Sequence, residues 1–346
     1  MALRYVVCRD DTLRVFRLVR SWKAHYPPGE IVLDMAEKWL SSQQDGPFFL
    51  YLQTSDPHWP YYSHNLGMIP EQVRKYEDKL IYVDLLGVDS AIQAAAIRTT
   101  PEFLNLVGRY DEELSYTDSL VSRLINFLQQ TGRWENTLFI LISDHGEEFL
   151  DHDRFSHGHD VWEELTHVPM LIKWPHRPAF SSLPESVSSR VGLIDLFPTL
   201  VDYLDLPKPR VSMKGTSFRE ILEKGDDPAS KEPLFSESIF QDVIRGAYWE
   251  GNIKVRLEFS RAVPPLESKN VWVYDLTTDP EEKNPISLVD PSAVEIVLRG
   301  RNCFQEIWKL WPDKGEPKSK SAAKKDAKQP DKKSTLEKLK SLGYLK

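Results

Sequence analysis

The chain has 346 residues, 41% of them hydrophobic and 28% charged, ordinary proportions for a globular protein able to bury a large core as one α/β domain with an appendage or as two domains. Its 44 Lys and Arg against 52 Asp and Glu leave a net charge of -8, which excludes the dense basic surface that nucleic-acid binding requires. No apolar run approaches the roughly 20 residues of a membrane-spanning helix. Cys8 and Cys303 stand far apart without ligand-like neighbours, and the opening residues carry no apolar core of signal-peptide length, so the compartment stays open.

In chain order, Val32, Met35, Ala36, Trp39 and Leu40 fall at i, i+3, i+4, i+7 and i+8, one face of an amphipathic helix. Residues 47–52 read as a buried strand opening onto Gln53-Thr-Ser-Asp-Pro-His-Trp-Pro-Tyr61, where two prolines prevent regular structure. Residues 109–130 place Leu114, Val121, Leu124, Ile125 and Leu128 at helical spacing, and Gly132 stops that helix. The apolar run at 138–143 suits a strand covered on both faces, as in a parallel sheet. It ends on Asp144-His-Gly, where open α/β sheets place ligands beyond strand carboxyl ends.

Residues 168–175 predict a further strand with Pro169 at its edge, and Asp195 predicts the cap of a helix running to Leu204 with Pro198 in its first turn. Residues 243–259 and 271–276 alternate apolar and polar positions, the pattern of a small antiparallel sheet. Residues 313–334 are Lys, Ala, Ser, Asp and Pro with almost no large apolar side chain, a disordered linker, before apolar spacing returns at the end.

Chemistry concentrates in residues 144–167, which hold five of the nine histidines among several carboxylates. Imidazole and carboxylate together suit a divalent cation: calcium, magnesium or manganese where oxygen donors prevail, zinc where nitrogen does. Singly, each residue has a plainer reading. Asp144-His-Gly is often only a turn in which Gly146 supplies positive φ, Asp56-Pro-His58 alone is a capped turn, and His152, His159 and His167 are ordinary loop histidines. Three polar clusters following three predicted strands favour a site at a sheet edge.

Several of these segments, in this order, resemble the signatures of the sulfatases, members of the alkaline phosphatase-like metallohydrolases: residues 47–61, Ile142-Ser-Asp-His-Gly-Glu, His157-Gly-His-Asp-Val-Trp-Glu-Glu, Leu193-Ile-Asp-Leu-Phe-Pro-Thr-Leu and Tyr274-Asp-Leu-Thr-Thr-Asp-Pro. The resemblance implies an α/β, alkaline phosphatase-like sandwich with a mostly parallel central sheet and a small C-terminal antiparallel sheet. It implies that Asp144 and His145 are two ligands of a single divalent cation, Ca2+ before Mg2+ or Mn2+. It also implies that His58 and His157 contact the sulfate or leaving oxygen, with the general acid left open between them. The substrate class is a small sulfated sugar or aryl sulfate, which Trp59, Tyr61, Tyr62 and Trp162 are candidates to stack upon.

The family's Cys/Ser-x-Pro-x-Arg segment, whose first residue becomes the formylglycine nucleophile, is not among these residues. Asp10 or Asp11 could complete the cation site, although a surface turn suits that stretch better. The expectation is a carboxyl-terminal portion of such a hydrolase, inactive in isolation: an N-terminal remnant at 1–29, a partial sulfatase-like α/β domain at 30–230, an α+β subdomain at 231–312, the linker at 313–334 and a docking segment at 335–346. The rivals are a phosphate or phosphonate ester hydrolase of the same superfamily and a non-catalytic anion-binding module.

Overall fold

The computed structural model describes residues 14–15, 28–43, 46–74, 88, 90–176, 182–207, 209–210, 213–225, 233–240, 243–260, 270–288 and 291–309. The linker and docking segment expected at 313–346, and Cys8, Asp10 and Asp11, lie outside the described residues. Two compact units form, one from residues up to Thr137 with His152–Arg154, the other from Leu138–Asp151 and from Phe155 onward.

In the first unit, strand β1 (Arg14–Val15) pairs in parallel with β2 (Phe48–Phe49). Helix α1 (Gly29–Ser42) buries Val32, Leu33, Ala36 and Leu40, so the predicted face holds while Met35 stays 39% exposed. Residues 88–100 include helix α2 (Ala91–Arg98). The predicted helix at 109–130 starts earlier, as α3 (Pro101–Gln130), because the Thr100 side chain accepts from Phe103 N and Pro101 occupies the first turn. Helices α1 and α3 pack together closely at Gly29, where a Cβ would lie 2.3 Å from Leu120 Cδ1 and would have to displace that side chain. Burying a side chain such as Leu40 contributes about 1.5–3 kcal/mol.

The second unit opens with β3 (Phe139–Ile142), which pairs antiparallel with β6 (Met170–Lys173). Among the described residues this pairing is antiparallel rather than the parallel one the apolar run suits, and β3 is only partly buried, with Ile142 40% exposed. An apolar run records a capacity for burial, whereas direction follows the connection. Here that connection holds the hairpin β4 (Glu148–Phe149) and β5 (Phe155–Ser156) and the single turn α4 (Glu163–Thr166), without the crossover helix a parallel partner needs.

Helix α5 (Leu193–Tyr203) starts at Leu193, so Asp195 acts from the third helical position, its carboxylate accepting from Gly192 N and Thr216 N. Pro198 therefore sits beyond the first turn and leaves the Ile194 carbonyl without its helical partner. The Gly215 backbone packs against that oxygen, 2.1 Å from where a Cβ would stand.

After α6 (Arg219–Lys224) comes the antiparallel sheet expected from alternation, in the order β10–β9–β8–β7: β7 (Leu234–Phe240), β8 (Val243–Glu250), β9 (Ile253–Ser260) and β10 (Asn270–Asp275). Ile244, Tyr248, Val255, Leu257, Phe259 and Val273 pack beneath α7 (Pro291–Lys309), whose Phe304 ring fills the space over Gly246. The alternate positions Arg245, Lys254 and Arg256 are not solvated as polar alternation implies; all three are buried.

Candidate active site

Asp144 follows β3 directly, with a side chain 76% exposed and its Oδ1 3.8 Å from His145 Nε2. Ser143 Oγ donates to the His145 carbonyl at 2.7 Å, and Gly146 N donates to Leu165 O at 2.9 Å. Gly146 is not a positive-φ residue, contrary to the turn expectation. A Cβ there would fall 1.9 Å from the Glu164 carbonyl oxygen, so close backbone approach is what requires glycine.

His157 stands at the end of β5, between Ser156 at φ 77° and Gly158 at φ 80°. Its ring stacks on His145 with centroids 3.9 Å apart. Asp144, His145 and His157 line one cleft of about 1140 Å³, together with Asp160, Arg190 and Trp249. His58 belongs to the first unit, in the loop after β2, where its N donates to Ser55 O at 2.7 Å.

The three candidate imidazoles share one feature. Nδ1 of His58 faces Trp59 O at 2.6 Å, Nδ1 of His145 faces Gly146 O at 2.8 Å, and Nδ1 of His157 faces Glu147 Oε1 at 2.9 Å. Carbonyl and carboxylate oxygens only accept, so Nδ1 is the donor in each of these three contacts.

His159, expected to be a loop histidine, is 4% exposed and donates from Nε2 to Glu148 Oε2 at 2.7 Å. The backbone beyond it is held from the C-terminal sheet. Arg245 Nη1 donates to His159 O at 2.8 Å, Lys254 Nζ to Val161 O at 2.7 Å, and Arg256 grips Asp160 through two bonds of 2.8 and 2.6 Å. Lys254 is further paired with Glu282 at 2.8 Å and Glu163 at 3.2 Å. Burial by itself would raise the Asp160 and Glu163 carboxyls; the guanidinium of Arg256 for one and the Lys254 ammonium for the other hold both below the ordinary carboxylate range.

Sequence reasoning missed Glu147, Glu148, Asp160 and these three buried cations. The density of acidic residues and histidines between 144 and 167 was the available signal for the first three. Of the aromatic candidates, Trp59 and Tyr61 are buried, Tyr61 packing on Tyr110, and Trp162 lies under the Arg256 guanidinium. Tyr62 remains exposed.

Among the described residues no group of three or more His, Cys, Asp and Glu side chains is placed to hold a metal ion. Asp144 and His145 are two donors, short of the six to eight that calcium takes. The described residues do not by themselves fit a complete cation site.

A sulfatase family profile matches residues 10–206. Arylsulfatase K of Bos taurus is 26% identical over 292 residues, covering 75% of this chain and 51% of the relative. An ulvan-active sulfatase of Formosa agariphila is 27% identical over 219 residues, covering 62% and 40%. The chain thus spans about half the length, 51%, of the first of these curated relatives. Among solved structures, one in complex with its substrate D-Glucosamine-2-N, 6-O-disulfate aligns with TM-score 0.59 at 15% identity, covering 87% of this chain and 73% of the other. The phosphonate monoester hydrolase of Agrobacterium radiobacter aligns with TM-score 0.59 at 19% identity, covering 80% and 59%. These likenesses establish the alkaline phosphatase-like α/β fold, with its small antiparallel sheet toward the carboxyl end. Because the profile spans more than half of the chain, the chain belongs to the sulfatase family.

Proposed function

We propose that this chain carries the substrate-binding and proton-donating side of a sulfate monoester hydrolase. The observation that supports this reading is the stacked His145–His157 pair in the cleft beside Asp144, each ring tied back through Nδ1. An alkyl or aryl oxide leaves more readily when protonated, and an imidazolium ring, which carries a proton on each nitrogen, can supply that proton while Nδ1 stays bonded to its oxygen partner. His157 and His58 are the two candidates for the role. Asp144 and His145 belong, in this reading, to the donor set of a divalent cation, calcium before magnesium or manganese, which would neutralise charge on the sulfate oxygens. The nucleophile that the family makes from a Cys or Ser has no counterpart in these residues, so the roles assigned here are binding and proton donation.

A sulfated sugar is the first substrate class, since a structural neighbour was captured with a sulfated glucosamine as its substrate. A phosphonate monoester is the second, since a phosphonate monoester hydrolase shares the fold equally well. Calorimetric titration of the full chain, in calcium, with a sulfated glucosamine, phenyl sulfate and a phenylphosphonate monoester separates them. The sulfated ligands are expected to bind, and His157→Ala to weaken them about tenfold, the loss of one hydrogen bond to a charged group. Tighter binding of the phosphonate would replace the reading with the phosphonate one, and binding of none would refute both.

A further inference from the structure

Between Tyr61 and Val73 the chain has no regular structure except one 3-10 turn at Glu71–Val73, and helix α3 supplies the partners this backbone needs. Asn105 Nδ2 donates to Val73 O at 3.0 Å, and Gly108 lies so near Ile69 that a Cβ would stand 3.1 Å from its Cα. Glu112 Oε2 accepts from Ser63 Oγ at 2.8 Å, His64 N at 2.7 Å and Asn65 N at 3.0 Å. Glu113 Oε1 accepts from Tyr62 N at 2.7 Å, and its Oε2 lies 3.2 Å from His64 Nε2. Asn65 adopts a φ of 57°, a left-handed turn that brings successive amides onto one acceptor. The two carboxylates are 0% and 2% exposed, whereas Leu114, which spacing assigns to the apolar face, is 44% exposed. Apolar residues at 112 and 113 would be buried at lower cost, so what the carboxylates supply is a single loop conformation.

An aromatic row carries this hold back to His58. His64 stacks on Tyr116 with centroids 4.1 Å apart, Tyr61 packs edge-on against Tyr110 at 5.3 Å, and Trp59 packs on Tyr61 at 5.4 Å. Trp59 O in turn meets His58 Nδ1 at 2.6 Å. We propose that Glu112 and Glu113 are positioning residues for His58. Glu112 is a built-in anion that closes the turn at 63–65, Glu113 pins Tyr62, and His58 thereby meets its ligand from a preorganised loop. The proposal rests on the ester-hydrolase reading only for what His58 meets; the hold on the loop follows from the contacts of α3.

Amide hydrogen exchange of the full chain tests the hold. The amides of Tyr62, His64 and Asn65 are expected to exchange at least about a hundredfold more slowly than those of an open loop. Glu112→Ala is expected to lose this protection at His64 and Asn65 and Glu113→Ala at Tyr62, with the β7–β10 sheet amides unchanged. Glu112→Gln and Glu113→Gln, whose amide oxygens still accept, are expected to keep only part of it. Open-loop exchange at these amides in the unaltered chain, or protection undiminished in both alanine variants, overturns the proposal. Should an alanine variant fail to fold, the Gln variants decide, and undiminished protection in both of them overturns it.

Calorimetric titration of the full chain with the sulfated glucosamine, in calcium, supplies a readout that a merely structural role would not move. Glu112→Ala and His58→Ala are each expected to weaken binding about tenfold, and the double replacement to weaken it about tenfold as well, because one residue acts through the other. A double replacement that weakens binding about a hundredfold, or a Glu112→Ala chain that binds like the original, overturns the positioning role. If the unaltered chain binds no sulfated ligand, the hydrolase reading fails, and the exchange pattern judges the hold on the loop independently.

Discussion

Replacing Arg256 with Met probes the contact that ties the His157 segment to the C-terminal sheet. The guanidinium and the Asp160 carboxylate are 5% and 4% exposed, joined by bonds of 2.8 and 2.6 Å, with the Trp162 and Trp272 ring centroids 4.3 and 4.5 Å from the guanidinium carbon. Removing one partner of such a buried pair costs about 3–5 kcal/mol, because the remaining charge is uncompensated. Arg245 still reaches Asp160 at 3.1 Å, and the Met thioether can pack against the indoles, so the lower end, about 3 kcal/mol, is expected.

Urea unfolding followed by tryptophan fluorescence reads this loss as a midpoint lowered by roughly 1–3 M. The double replacement Arg256→Met with Asp160→Asn is expected to recover part of it, since no buried charge is then stranded. The Asp160 carboxyl is held below its ordinary value of 3.8, so its contribution is present above that pH and is lost as pH falls through the folded value. The gap between Arg256→Met and the unaltered chain should accordingly narrow below about pH 3.8. A single replacement costing under about 0.5 kcal/mol, or a double replacement no better than the single, would refute the assignment of this pair as a desolvated clamp.

Two further outcomes follow from the same unit. Gly146→Ala sets a Cβ 1.9 Å from the Glu164 carbonyl oxygen, and since the opposing atom is backbone, a loss of about 1–3 kcal/mol in chemical denaturation is expected, with the His145–His157 stack disturbed in histidine spectra. A variant as stable as the original would disprove the close-approach account. Phe304→Ala empties the space over Gly246, where Phe304 is 5% exposed against Phe235 and Phe259, and is expected to cost about 3–5 kcal/mol in urea; a loss below about 1 kcal/mol would show that α7 does not cap this core.

Periodicity reported what is local. The α1 face, the long helix ending at Gly132 and the antiparallel C-terminal sheet were legible because hydrophobic spacing and the stop residue act within a few positions along the chain. The boundaries are less so: the helix of residues 101–130 begins at a Thr-Pro cap ahead of its apolar rows, and α5 begins two residues before Asp195. The antiparallel pairing of Phe139–Ile142 with Met170–Lys173 is not legible, because an apolar run looks the same in either pairing.

The sequence by itself determined the chemistry that gathers between 144 and 167 and the family to which it belongs, since residue types and their order are properties of the chain alone. Only the tertiary structure decided which ring nitrogen of His157 and of His159 meets a carboxylate, and that the polar face of the C-terminal sheet is buried rather than wet. Alternation marks which side chains share a face, but whether that face meets water or a partner such as Asp160 depends on segments about a hundred residues away, brought together only by folding.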